Sequence, residues 1–246
     1  MVFTYNFAPN AYYFNSNNYY STNLQVNLTP SSYTGSGTIW ENTQNSTEAT
    51  LFNNPTYSNR GFTFNGTTQY ASLNSVLGVT NFNTSNNYTI ELWCNINSVQ
   101  QDISASDNCI VEKWNSTNEA AYPYVVRYLR GSNNVNFAVY NGSLNPGVPI
   151  PATTNNWAQY VGVFNHSSDI ISGYKNGQLS NTGAMAITGT INNNSTLNLG
   201  RRANAVGGGN IYFTGSIGIL RIYNESLSAS QILQNYNANK STFGLS

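Results

Sequence analysis

The 246-residue chain carries nine Lys and Arg against nine Asp and Glu, so charged side chains make up only 7% of it and the formal net charge is zero. Such a balance provides no basic face for nucleic acid or for an anionic membrane. Polarity comes instead from Asn, Ser, Thr and Tyr, and a surface of amides and hydroxyls suits hydrogen bonding to sugars or to other protein subunits, although Asn-rich coding drift would produce the same composition.

The length fits one all-β sandwich as well as two average domains. No Pro-rich or charged run marks a linker, so one main domain is expected over residues 23–246, preceded by an extended arm over 1–22. The arm, "MVFTYNFAPNAYYFNSNNYYSTN", lacks a basic leader and a continuous apolar run, and is not expected to be a secretory signal. It is expected to pack on a neighbour or on the domain's own edge. No segment approaches the roughly 18 consecutive apolar residues of a membrane span, so no membrane insertion is expected.

Downstream, the pattern is one of strands. In "NYTIELWCNIN" the side chains of Tyr88, Ile90, Leu92, Cys94 and Ile96 alternate with Thr89, Glu91, Trp93 and Asn95, as in a half-buried strand. "NCIVEKW", "YPYVVRYLR", "NVNFAVYNG", "NWAQYVGVFN" and "DIISGYKNGQLSN" continue the series between Gly and Asn clusters. Asn176-Gly177 is a type I′ hairpin signal, because both central residues of that turn need positive φ. After "STLNLGRR", the stretch "FTGSIGILRIYNESLSASQILQNY" reads as strand, turn and short helix. Phe213, Gly215, Ile217 and Ile219 alternate there with Thr214, Ser216, Gly218 and Leu220, and the glycines allow something to pack close to the strand. Ser228 and Gln231 have capping-box spacing, which predicts a helix from about Ala229 with Ile232, Leu233 and Tyr236 on one face. About ten strands with short turns and one terminal helix define an all-β, two-sheet antiparallel sandwich.

At this point a family resemblance emerges. "FTGSIGILRIYNESLSASQILQNYNA" resembles the closing motif of laminin-G-like domains, the concanavalin A-like jelly roll. "ATLFNNPTYSNRGFTFNGTTQYASL" resembles the family's early strand pair, "YTIELWCNI" its central strand, "NWAQYVGVFN" and "GYKNGQL" its late hairpin, and "LNLGRR" the strand before the close, together spanning about Trp40 to Ala238. The resemblance implies two antiparallel sheets, one of them concave, and members that bind glycans or proteins more often than they catalyse. Function still has to be argued from sites, since the same sandwich carries glycosidases and structural modules.

A retaining glycosidase on this fold needs two carboxylates roughly 5 Å apart. Glu91 and Glu112 each stand alone in their strands, and the lone histidine, His166, is expected in an exposed loop without a triad or zinc context. The glycine loop "VGGGN" lacks the strand-to-helix setting of a dinucleotide site. Many laminin-G-like domains hold a rim calcium, but the acids of the frequent family pattern are replaced in Phe64-Asn65-Gly66-Thr67-Thr68-Gln69-Tyr70 by neutral amides. Asp102, Asp107 and Asp169 are isolated. No cofactor is expected, and calcium is the one ion left open.

Sugar binding asks for an aromatic platform with amides, hydroxyls or guanidinium groups around it. Trp114, Asn115, Tyr122 and Tyr124, together with Arg201 and Arg202 before the glycine loop, are the candidates; core packing is the competing role for Trp114, and Trp40, Trp93 and Trp157 are expected in the core or on a sheet face. Cys94 and Cys109 flank successive strands, where a cross-strand disulfide and two buried thiols are both compatible with the spacing. Sequons at Asn27, Asn45, Asn65, Asn87, Asn141 and Asn224 are largely what abundant Asn generates by chance. The first functional expectation is a non-enzymatic virion surface or minor capsid protein that contacts other structural proteins of a particle. A lectin or adhesin module, extracellular or on a cell surface, is the alternative, and a glycoside hydrolase the third.

Overall fold

The computed structural model describes residues 18–115, 119–205 and 209–246. Most of the expected arm, residues 1–17, lies outside them. In chain order the strands are β1 (Leu24–Leu28), β2 (Ile39–Trp40), β3 (Ala49–Phe52), β4 (Thr56–Ser58), β5 (Gly61–Asn65), β6 (Tyr70–Leu73), β7 (Tyr88–Ile96), β8 (Asp107–Glu112) and β9 (Tyr122–Leu129). They continue with β10 (Asn134–Tyr140), β11 (Gly147–Pro151), β12 (Trp157–Asn165), β13 (Ile170–Lys175), β14 (Gln178–Ala184), β15 (Leu197–Leu199), β16 (Arg201–Ala205), β17 (Gly209–Tyr212) and β18 (Thr214–Tyr223). Helix α1 (Ala229–Asn239) and a 3-10 turn (Lys240–Phe243) close the chain. The additional strands relative to the sequence pattern are mostly two to four residues long, such as β2, β4 and β17, too short to show alternation.

Two eight-stranded antiparallel sheets face each other. The first runs β14-β13-β12-β7-β18-β5-β4, with β1 pairing on the far half of β18; the second runs β11-β10-β9-β8-β15-β6-β3-β2. A separate hairpin, β16–β17, follows the second sheet. The jelly-roll sandwich expected from the sequence is therefore present, with one continuous core between the sheets. Tyr88, Ile90, Leu92, Cys94 and Ile96 of β7 all enter it, as their alternation predicts.

Strand β7 departs from expectation on its other face. Thr89, Glu91 and Trp93 are fully buried too, because α1 and the 3-10 turn cover the outside of the first sheet. Trp93 packs with Ile219 and Phe243 there, and its ring stacks on Phe243 at 4.6 Å. In β18 the alternation breaks between Ile217 and Ile219, where the pairing with β7 shifts register. Ile217, Leu220 and Ile222 therefore point into the main core, whereas Ile219 and Tyr223 point outward. Gly218 sits at the break: a Cβ on it would lie 2.5 Å from Phe243 Cε1 and 2.6 Å from the Arg60 carbonyl, so only glycine admits the 3-10 turn.

The helix begins at Ala229 with the predicted reciprocal cap between Ser228 and Gln231. Ile232 is buried, but Leu233 stays 38% exposed, and the buried partner one turn on is Asn235. The helix sits on the β13–β14 hairpin, where Asn176 (φ 49°) and Gly177 (φ 77°) supply the positive φ values that the turn requires. Residues 18–22 pack on the domain's own edge: the Tyr20 amide donates to Asn235 Oδ1 at 2.7 Å, and Tyr223 Oη donates to the Tyr20 carbonyl at 2.9 Å.

The disulfide alternative is excluded. Cys94 and Cys109 are free and buried, Cys94 inside the core on β7 and Cys109 on the outer face of the second sheet beside Ile211. β7 and β8, which carry them, follow one another in sequence but belong to opposite sheets. Burial holds both thiols well above the usual range.

Candidate functional site

The sequence-derived sugar candidates divide into three environments. Tyr124 is not at a rim: it is fully buried in the main core, where its hydroxyl donates to the Thr80 carbonyl at 2.7 Å. An irregularity between β9 and β10 turns Tyr122 onto the outer face of the second sheet, where it is 2% exposed and packs at 5.1 Å from the half-buried Trp114. Burial pushes the Tyr122 phenol up to about 12. The Trp114 indole N–H is spent on the Glu119 carbonyl at 2.8 Å, and the Arg127 and Arg202 guanidinium groups lie 5.4 and 5.8 Å from its ring. Asn115 bridges to Ala203, bringing the segment after β8 against β16.

Beneath Trp114 lies an ion network. Glu112, completely buried, accepts from Arg127 at 3.1 and 2.5 Å and from Arg202 Nε at 3.3 Å. Asp107, on the same strand, accepts from Arg202 Nη2 at 2.7 Å. Glu112 thus does not stand alone: a register shift in β8 between Cys109 and Val111 brings both acids to one face. Burial raises the Asp107 carboxyl, but Arg202 and Arg127 outweigh it and hold it below the usual range. Arg201 turns the other way, its guanidinium 3.6 Å from the Tyr70 ring, which itself stacks on Phe52 at 4.5 Å. The structure therefore unites Trp114, Tyr122 and Arg202, with Asn115 alongside, as a closed packing cluster, and separates Tyr124 and Arg201 from it.

A different place is open. On the outer face of the first sheet, a cleft of about 520 Å3 is lined by Tyr19, Asn27, Thr29, Pro30, Ser31, Thr43, Asn59, Ile219, Arg221, Asn239 and Thr242. Its floor is β18, through Ile219 and Arg221. One wall is the end of α1 with the 3-10 turn, and the other is β1 with the segment after it and the β4–β5 turn. Tyr19 lies across Arg221 with its ring 4.0 Å from the guanidinium carbon, and its hydroxyl accepts from Asn27 Nδ2 at 3.1 Å.

Arg221 is held by its neighbours. Nε donates to Asn27 Oδ1 at 2.9 Å, Nη2 to Asn239 Oδ1 at 3.3 Å and Nη1 to Glu91 Oε1 at 3.3 Å. Glu91, fully buried directly opposite Arg221 on β7, also accepts from Trp93 Nε1 at 2.9 Å, Gln159 Nε2 at 3.0 Å and Asn235 Nδ2 at 2.6 Å. None of the cleft residues was a sequence candidate. One signal was available: Glu91 and Arg221 are single charges inside otherwise apolar strands, "TIELW" and "GILRIY", and such charges are buried only when paired.

The residues tested for calcium do not fit it. Asn65 Oδ1 accepts from the backbone amides of Thr67, Thr68 and Gln69 at 3.0, 3.0 and 3.1 Å. Gln69 Nε2 donates to the Asn53 and Asn54 carbonyls at 3.1 and 2.8 Å, so an amide N–H occupies the oxygens that a cation would need. Asp102 Oδ2 accepts from the Tyr212 amide at 2.9 Å, Asp107 is arginine-bound, and no cluster of three or more His, Cys, Asp or Glu occurs among the described residues. His166 is not the exposed loop residue expected. Both ring nitrogens are shielded and without a hydrogen-bond partner among the described residues, beside Tyr88, and burial lowers its pKa.

Comparison with known proteins agrees with the sandwich. The family model of the concanavalin A-like lectin/glucanases superfamily matches residues 65–233, and the chain belongs to that superfamily. No curated protein sequence matches it. Among solved structures, the binding domain of botulinum neurotoxin serotype D has a TM-score of 0.68 at 13% identity, over 88% of this chain and 51% of that one. The binding domain of Paraclostridial Mosquitocidal Protein 1 has 0.67 at 14%, over 91% and 55%. Trypanosoma rangeli sialidase has 0.65 at 14%, over 91% and 34%. A further serotype D ligand-binding domain, at 12% identity, TM-score 0.67 and coverage of 87% and 50%, is in complex with N-acetylneuraminic acid. The chain spans about half the length of the toxin domains and a third of the sialidase, and at these identities the likeness is one of fold.

Proposed function

We propose that this chain is a non-enzymatic carbohydrate-binding module whose ligand seats in the cleft beside Tyr19. The observation that carries this reading is the cleft's lining: one aromatic ring among amides and hydroxyls, the donor and acceptor set that a polyol engages. Toxin binding domains that share the fold, one of them in complex with N-acetylneuraminic acid, support a binding role. Hydrolysis is disfavoured by the state of the acids. Glu91 and Glu112 are fully buried and bound by arginine, and Asp107 is held ionised, so none serves as the proton donor that glycosidase chemistry requires.

The test is a glycan array on the folded protein, with calcium and with a chelator. Binding is expected under both conditions, lost in Tyr19→Ala and in the cleft-filling Thr43→Trp, and retained in Trp114→Ala. Loss in Trp114→Ala alone would move the site to the second sheet. Display on a virion surface, or alternatively outside or on a cell, is the setting that the uncharged amide- and hydroxyl-rich composition supports, with other structural proteins of the particle as further partners. In that setting, deletion of residues 1–17 should abolish incorporation into the particle and leave a folded sandwich; normal incorporation would count against it.

A further inference from the structure

The charge balance of the cleft narrows its ligand, and this step rests on the carbohydrate-binding reading above. Among the described residues Arg221 is the one charged member of the lining, and its charge is already answered. Its partner Glu91 is inaccessible and fixed by three further donors, so a ligand carboxylate cannot displace it. Two more of its N–H donors go to Asn27 and Asn239, Tyr19 lies over it, and the side chain is only 1% exposed. Arginine recognises carboxylate or sulfate through a free pair of parallel N–H donors, and Arg221, buried beneath Tyr19, presents no such pair to the cleft. An anionic sugar entering here would lose hydration without meeting a spare positive charge among the lining residues.

What remains available is neutral. The Asn59 amide and the Thr242 hydroxyl, both exposed on the rim, make no side-chain hydrogen bond within the described structure, and the Thr29 and Ser31 hydroxyls pair with each other at 3.1 Å. These groups both donate and accept, as sugar hydroxyls do. We infer that the cleft selects uncharged saccharides, neutral hexoses or N-acetylhexosamines, and discriminates against sialylated, sulfated and uronic-acid glycans.

The experiment pairs neutral glycans with their own sialylated and sulfated forms, titrated against the full chain at 50 and 500 mM NaCl. The neutral member should bind at least ~10-fold tighter, and its affinity should change less than about 2-fold with salt, because the lining holds no unpaired charge to screen. Thr242→Arg, which adds an uncompensated guanidinium at the rim, should gain affinity for the sialylated form. Preference of the wild type for the anionic member, weakening about 10-fold across that salt range, would overturn the inference while leaving carbohydrate binding intact. Neutral binding that survives Thr43→Trp would overturn the placement in this cleft. Absence of binding to any glycan by folded protein would overturn the carbohydrate reading itself.

Discussion

Two side chains, Glu91 and Arg221, show how a chain with so few charges uses them. Each is at most 1% exposed, and each faces the other across the central strand pair of the first sheet. Removing one partner leaves the other as an uncompensated buried charge, at about 3–5 kcal/mol. Arg221→Met should therefore lower the stability measured by urea unfolding by that amount, and loss of less than ~1 kcal/mol would show that Glu91 is neutralised some other way. His166 makes a pH-dependent contribution. Burial lowers its folded pKa below 6.5, with Asp169 opposing, so as the pH falls through 6.5 the unfolded chain takes up the proton first. Stability at this site is full above that value and declines below it. The urea midpoint should fall between pH 7 and 5, and His166→Phe should flatten that part of the profile; an unchanged slope in the variant would assign it to the carboxylates.

At the scale of elements, the closing helix completes the outer face of the first sheet. With its 3-10 turn it covers Trp93, supplies Asn235 to Glu91, and provides Asn239 and Thr242 to the cleft. An eleven-residue helix is marginal alone and draws its stability from docking. Ser228→Ala, which removes the cap acceptor for the Gln231 amide, should cost about 1 kcal/mol. Gly218→Val acts on the same element from below: its side chain would meet Phe243 and the Arg60 carbonyl, and overpacking of this kind costs typically 1–3 kcal/mol. Lifting Phe243 should also uncover Trp93, which a red-shifted tryptophan emission in the folded variant would report.

The described residues form one sandwich, with a thiol on each side of its second sheet and both cysteines free. A disulfide reagent should find no reactive thiol in the native protein and two after denaturation, since both cysteines are free and fully buried. Melting temperature should be the same with and without reductant, and a drop on reduction would mean that Cys94 and Cys109 are joined after all.

The sequence by itself determined the sandwich, the core-facing residues of the central strand, the Asn176-Gly177 turn and the Ser228 cap. Each is set by local physics: alternation of period two, positive φ, and a side chain reaching three residues along. Tertiary structure alone decided which residues share a site. The break at Gly218 reversed the faces of β18, and the bulges in β8 and β9 set Glu112 beside Asp107 and turned Tyr122 outward, because one extra residue in a ladder inverts every side chain after it. The cleft joins residue 19 to residue 242, a proximity created by the antiparallel return of β18 beside β1 that no local pattern records. Trp114 had the right chemistry for a sugar platform, yet its contacts were already filled by Tyr122, Arg127, Arg202 and Glu119. Residue type predicts what a side chain can bind, and only packing decides whether that capacity is still free.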